Sequence, residues 1–400
     1  MKIFDKRLKN GTRCYIIDKE GCVSKEALLA VNFGSADRDA KAGCAHFLEH
    51  KVFEQKQLNV FDEFGKHGAN VNAFTNFSQT AYYFSCYKDF EENLRLLLEF
   101  TANPYFTDES IEREKGIIGE EIGMYEGDPW WQVYFNLLNA LYSENPVRNN
   151  IAGSKEDISG MNRDVLQKAY DRFYCGENTV LTLCGDFGGD GLFDLCEDLS
   201  LMKRGEPNVR EKIFEENIAE KIVRVNMEVS KPLFNLGFKE NDFDTPGLKR
   251  LCSTRLLLDM ICGNASELFE RLYLRGDIDK SFSMEYLLGV DYGAAVFSGV
   301  TDRGQSVCEE ILRETGRLKK EGIDENLLEI SKNRLRGAFL TGTDNIHGVA
   351  SAVADFAFKG IDFWDVYKEY SAVTADDIYK RLNIFDADNC ALSLVEPILK

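Results

Sequence analysis

The chain has 400 residues, 44% of them hydrophobic and 12% aromatic, which suits packed interiors and argues against disorder. That length exceeds one ordinary core, so two or more domains are expected. The formal net charge of −19 repels phosphate backbones and anionic lipid, and so argues against nucleic-acid and membrane-surface roles.

The opening stretch MKIFDKRLKNGTRCYIIDKE is charged throughout and has no apolar run of signal-peptide length. No stretch approaches the roughly 20 apolar residues that span a bilayer. The 11 cysteines are odd in number, form no CxxC and lie partly in apolar runs, as buried reduced thiols do. A cytoplasmic protein is expected.

In chain order, residues 14–18 and 27–33 read as strands joined by GSADRDAKAG, and a helix starting near Cys44 carries residues 46–53. Residues 71–87 (VNAFTNFSQTAYYFSCY), rich in β-branched and aromatic types, read as a strand pair turning near Asn76. Two helices follow, over 90–101 and from Asp108 as N-cap to about Tyr125, the second broken by GDP; 179–184 is a short apolar strand. From Leu201 to Lys221 the composition turns charged, with Gly and Pro, and reads as a linker. Beyond it the order restarts: strands in 221–229 and 232–242, a helix over 247–262, strands at 281–286 and 294–300, then helices over 305–321 and 325–341. The simplest account is a two-fold repeat of an α+β unit, with domains at 1–202 and 222–400 joined by a linker at 203–221.

Two of only 4 histidines stand in AHFLEH, with Glu49 just before the second. On a helix, residues i, i+3 and i+4 share a face, so His46 and His50 can bring two imidazole nitrogens to one tetrahedral ion. Glu49 can then hold a water bound to that ion. Zinc with three protein ligands lowers the pKa of its water, and a neighbouring carboxylate takes the proton as hydroxide attacks a carbonyl. HxxEH is the inverted form of the HExxH zinc-peptidase motif. Accidental spacing of surface or core histidines is the competing explanation. His67 and His347 have no comparable context and read as structural, and the helix over 247–262 has no His or Glu pair, so only one copy can carry this chemistry.

A third ligand is sought in IEREKGIIGEEIGMY. Its apolar stripe is Ile111, Ile118, Ile122 and Tyr125; at 100° per residue Glu114 and Glu121 lie together beside it, and Glu120 points roughly opposite. A ligand has to face a neighbouring helix, which favours Glu121, with Glu114 behind it, over the adjacent Glu120 as the alternative.

These residues resemble the pitrilysin-type inverzincin zinc metallopeptidases, in the branch similar to mitochondrial processing peptidase and its small bacterial relatives. HFLEH matches the zinc motif, GANVNAFTNFSQTAYYF resembles the substrate-side strand pair, and EREKGIIGEEI resembles the ExxxxxxE segment; the second half matches by layout. The resemblance implies two homologous α/β-sandwich domains forming half of a clam-shaped chamber. It also implies one Zn2+ per chain at His46, His50 and Glu121, with Glu49 as general base and Glu114 in support. The distance along the chain from His50 to Glu121 is somewhat shorter than that family's commonest spacing. Peptide substrates would add as a strand along Asn72, Ala73, Phe74 and Thr75. The activity implied is a zinc endopeptidase acting on peptides or unfolded segments. The alternatives are a non-catalytic peptide-binding or scaffold subunit and a specific maturation peptidase. Peptide-cleaving members present an arginine and a tyrosine in a stretch resembling LRxxxGLxY; in ELFERLYLRGDIDKSFS, aligned on Leu272 and Gly276 with one residue fewer between them, those places fall on Tyr273 and Asp279. This points to a homologous partner subunit that completes the site in a heterodimer, with an active monomer or homodimer, in which Arg271 or Arg275 substitutes after a small shift, as the alternative.

Overall fold

The strands sort into two sheets in the computed structural model, which describes residues 1–56 and 58–398. The first sheet contains β1 (Lys2–Arg7), β2 (Arg13–Asp18), β3 (Lys25–Val31), β4 (Ala69–Thr75), β5 (Thr80–Cys86) and β6 (Thr179–Gly185), in the order β1-β2-β6-β3-β5-β4. β2 and β6 run parallel, and the other neighbours antiparallel. Sequence decides this order. β6 (TVLTLCG) is apolar enough to be buried along its whole length at the centre, whereas β1 (KIFDKR) is charged and takes an edge. β4 is the other edge, held by the hairpin to β5 from Ala69↔Cys86 to Thr75↔Thr80.

Both faces of this sheet are covered. Leu28 lies opposite Thr182 and Tyr83, so these share one face, and there Thr182 Oγ1 donates to Ala350 O of the helix Ile346–Phe358. Tyr82 faces the other way and donates from its hydroxyl to Leu48 O of the helix Cys44–Val52. A buried sheet with helices on both faces is an α/β sandwich.

The second sheet contains β7 (Ile222–Met227), β8 (Leu233–Lys239), β9 (Ser283–Leu288), β10 (Gly293–Val300) and β11 (Cys390–Pro397), in the order β7-β11-β8-β10-β9. β7 and β11 are parallel and the rest antiparallel. This is the order β2-β6-β3-β5-β4 over again, without a counterpart of β1, so the repeat expected from the restart of the pattern is present strand for strand. Residues 201–221 contain no helix or strand.

The compact units are not continuous in sequence. One comprises Met1–Ile122, Asn150–Arg210 and Gly342–Phe363; the other comprises Gly123–Asn149, Glu211–Thr341 and the chain from Trp364. The helix Ile346–Phe358, late in the chain, covers the first sheet. The helix Pro129–Leu141, early in the chain, covers the second: Val133 shares a core with Leu233 and Val395, and a Cβ on Gly237 would come within 2.9 Å of Leu137 Cδ2. Division by chain order at 202 and 222 does not describe this exchange of one helix each. Periodicity shows that a helix has an apolar stripe but not which sheet the stripe will cover.

Candidate metal centre

The motif helix Cys44–Val52 begins at Gly43, whose φ of 77° is open to glycine at no steric cost. A Cβ there would also sit 2.4 Å from Ala152 O. Phe47, Leu48 and Val52 are buried and fix the rotation of the helix against the sheet. That rotation turns His46, Glu49 and His50 toward one side, with the two imidazole rings 4.7 Å apart.

The helix Asp108–Gly127 supplies the acids. Thr107, not Asp108, stands at its N-cap: Thr107 Oγ1 accepts from Ser110 N at 3.2 Å. Ile111, Ile118 and Ile122 are buried, Glu114 and Glu121 are half-buried beside them, and Glu112 and Glu120 are exposed. The phase read from the stripe therefore places the two adjacent acids on the sides expected of them. Glu121 Oε1 lies 3.6 Å from His46 Nε2, and its Oε2 lies 3.4 Å from His50 Nε2. One donor atom from each of His46, His50 and Glu121 falls within 4.8 Å of the others, the one such group among the described residues.

Bonds of about 2.0–2.1 Å at tetrahedral angles separate ligand atoms by about 3.4 Å. Two imidazole nitrogens and one carboxylate oxygen at the observed spacing fit a zinc ion with a fourth position left for water. Glu114 Oε1 sits 3.0 Å from His50 Nδ1, which leaves Nε2 of that ring directed at Glu121. Burial by itself lowers the His50 pKa, but hydrogen bonds to Glu114 and Glu121 and the charge of Glu49 outweigh it and push the metal-free ring up to about 9. Burial likewise opposes ionisation of Glu114, yet the hydrogen bond and charge of His50 hold it below the usual carboxylate range. His46 is buried, and its Nδ1 has no hydrogen-bond partner among the described residues.

The edge strand closes one side of the site. Thr75 and Ala73 alternate with Phe74 and Asn72, so only the first pair faces the motif helix. Thr75 Oγ1 lies 2.7 Å from Glu49 Oε2. Asn72 Oδ1 accepts from its neighbour Ala73 N at 2.8 Å, and the Phe74 ring stands edge-on to His347 at 6.5 Å on the far face. His347 pairs with Glu26 at 2.8 Å and His67 with Asp89 at 3.6 Å, both away from the cluster.

Sequence reasoning missed Lys51. It is fully buried, ion-paired with Glu54, and reaches Ser110 Oγ at 2.8 Å, while Arg113 meets Glu54 at 3.3 Å. These bonds tie the motif helix to the first turns of the acidic helix. The one available sign was a lysine between His50 and the apolar pair Val52 and Phe53.

The stretch ELFERLYLRGDIDKSFS forms the helix Glu267–Leu274 and the turn after it. Arg271 and Arg275 both bind Glu310, at 3.4 and 2.5 Å, and Arg275 also binds Asp277. Asp279 accepts from Ser281 N and Oγ, and the Tyr286 hydroxyl bonds to Glu240. No helix among the described residues is long and apolar enough to cross a membrane.

Two repeated α/β sandwiches, one of them carrying HxxEH and a converging glutamate, define the architecture of a pitrilysin-type metallopeptidase. Comparison with known proteins agrees. The family model "Insulinase (Peptidase family M16)" matches residues 17–155, and "Peptidase M16 inactive domain" matches 160–335. An uncharacterized zinc protease of Bacillus subtilis, YmfH, is 32% identical over 94% of this chain and 92% of its own. The crystal structure of an M16-like peptidase from Alicyclobacillus acidocaldarius superposes with a TM-score of 0.93 at 30% identity, covering 99% of this chain and 98% of that one. Pitrilysin itself matches with a TM-score of 0.82 at 18% identity, this chain spanning 45% of it, which shows the shared fold. The chain belongs to peptidase family M16.

Proposed function

We propose that this chain is the metal-bearing subunit of a zinc-dependent endopeptidase that cuts peptides or unfolded segments. The observation that carries this reading is the convergence of His46, His50 and Glu121 donor atoms within 4.8 Å, with Glu49 on the same helix face. In this reading His46 Nε2, His50 Nε2 and a Glu121 oxygen hold one zinc ion per chain. When bound, zinc acidifies a water and polarises the substrate carbonyl. Glu49 would take a proton from the attacking water and deliver it to the leaving amine. Glu114 keeps the His50 ring turned, and Glu120, exposed on the other side, takes no part.

The substrate lies along β4 as an added strand, its backbone meeting Asn72, Ala73, Phe74 and Thr75. Support comes from the position of β4 at the sheet edge. The two copies in chain order are a zinc domain at 1–202 and a non-zinc domain at 222–400, with 203–221 as linker; the repeated strand order supports this division. A homologous partner subunit supplies the cation and phenol that stabilise the oxyanion. In favour of this, Asp279 stands where the tyrosine is needed, and Arg271 and Arg275 are occupied by Glu310. Closure of the paired subunits around the peptide, in the cytoplasm, belongs to the same reading, and the 11 free thiols agree with that compartment.

Elemental analysis together with a quenched-peptide assay, with and without chelator, tests the function. About one zinc per chain and chelator-sensitive, zinc-restored cleavage are expected. Tight peptide binding without zinc or cleavage would favour a scaffold instead.

A further inference from the structure

The proposed substrate strand and the motif helix are joined by a hydrogen bond at Glu49, and its direction follows from counting protons. At the last rung of the hairpin Thr75 lies opposite Thr80. Thr75 Oγ1 is 2.7 Å from Glu49 Oε2 and 3.3 Å from Thr80 Oγ1, while Thr80 Oγ1 is 2.9 Å from Phe33 O. A hydroxyl has one proton to give, and a backbone carbonyl and a carboxylate only accept. The Thr80 proton therefore goes to Phe33 and the Thr75 proton to Glu49, and the longer contact between the two hydroxyls is van der Waals packing. Among the described residues no hydrogen bond reaches Glu49 Oε1. One oxygen of the carboxylate is held and the other is open.

We infer that Thr75 is the positioning residue of the base: its hydroxyl fixes Glu49 Oε2 and so aims Oε1 at the reacting water. This rests on the reading of Glu49 as general base. Glu49 sits on a long, rotatable stem, and a base displaced by about 1 Å can lose about a hundredfold in rate. Because Thr75 lies on β4, the strand proposed to receive the peptide also holds the base. Docking and proton transfer then share one element, and a displacement of β4 would misdirect Glu49 while leaving the metal ligands on their helices.

The test compares Thr75→Val, which keeps the shape and removes the hydroxyl, with Thr75→Ser, which restores it; Thr75→Ala serves if the valine variant does not fold. Zinc content, kcat and KM are measured in the assembled enzyme, and the Glu49 rotamer is read from crystals of each variant. In Thr75→Val, kcat is expected to fall about 10- to 100-fold with KM within about twofold and zinc unchanged, and Glu49 to leave its rotamer. Thr75→Ser should recover most of the rate and the rotamer. Glu49 unmoved in the valine variant, with kcat within about twofold of the unmodified protein, would overturn the inference, as would a serine variant no better than valine. If the unmodified protein cleaved nothing, the peptidase reading would fall, and the Glu49 rotamer would still decide whether Thr75 holds it.

Discussion

His50 lies between two acids, and this has a consequence for loading the metal. Zinc binds the neutral imidazole, whereas in the metal-free protein the ring titrates near 9 because Glu114 and Glu121 overcome the cost of its burial. The folded value lies above the unfolded 6.5, so this contribution to metal-free stability is complete below about 6.5 and is lost as pH rises through about 9. Zinc therefore competes with a proton over that window, and its apparent affinity should rise with pH toward 9. Calorimetric titration at pH 7.5 in buffers of different ionisation heat should show about one proton released per zinc. Glu114→Gln should release less and bind zinc about 10- to 100-fold more weakly.

The neighbouring acids on the second helix make opposite predictions. Glu121→Gln should weaken zinc binding markedly, while Glu120→Gln, on the exposed side, should leave it nearly unchanged; zinc retained after dialysis decides. Glu49→Gln should keep zinc and lose about 100-fold or more of the cleavage rate, because an amide cannot accept the proton. Full activity in that variant would remove Glu49 from the role of base.

Among the elements, the motif helix depends on its entry turn. Gly43 combines a φ of 77° with an approach to Ala152 that leaves no room for a methyl group. Gly43→Ala should cost about 1–3 kcal/mol in a denaturant melt and weaken zinc binding as His46 shifts. The other instructive end is that of the helix Pro129–Leu141. There the Glu215 carboxylate accepts from the backbone of Ser143, Glu144 and Asn145 and from the Ser143 hydroxyl. Burial by itself would raise the Glu215 pKa, but these hydrogen bonds outweigh it and hold the group below the usual carboxylate range. The folded value is depressed, so this stability is present above the unfolded value of about 4.3 and is lost as pH falls through the folded one. Glu215→Gln should therefore cost about 1–3 kcal/mol at pH 7, and its gap to the unmodified protein should narrow in acid.

At the scale of the whole molecule, the proposed partner subunit makes the sharpest prediction. Removing one donor from an oxyanion site costs about 100- to 1,000-fold in kcat. The isolated chain should therefore cleave a quenched peptide poorly, and adding a homologue that carries the pair and lacks HxxEH should raise turnover by that order. Strong zinc-dependent turnover by the chain alone, unchanged by the partner, would mean that Arg271 or Arg275 leaves Glu310 to do the work.

Local rules carried much of the result. HxxEH puts its three side chains on one face because a helix has a fixed pitch, and the same pitch separated Glu121 from Glu120 once Ile111, Ile118 and Ile122 marked the inside. The hairpin around Asn76 and the helix over 247–262 followed from residue type and period, since nothing distant has to agree for them to form. Other features depended on what folds against what. β1 is charged and becomes a strand by pairing with β2, and β11 is a strand because the place between β7 and β8 in the second sheet is open to it. The bond from Thr75 to Glu49, the buried Lys51 reaching Ser110, and the exchange of helices Pro129–Leu141 and Ile346–Phe358 join residues that are distant in sequence. Local pattern can show that a side chain is polar or that a helix has an apolar stripe. Only the packed molecule supplies the partner, because that choice is made by the burial and hydrogen bonds of the whole fold.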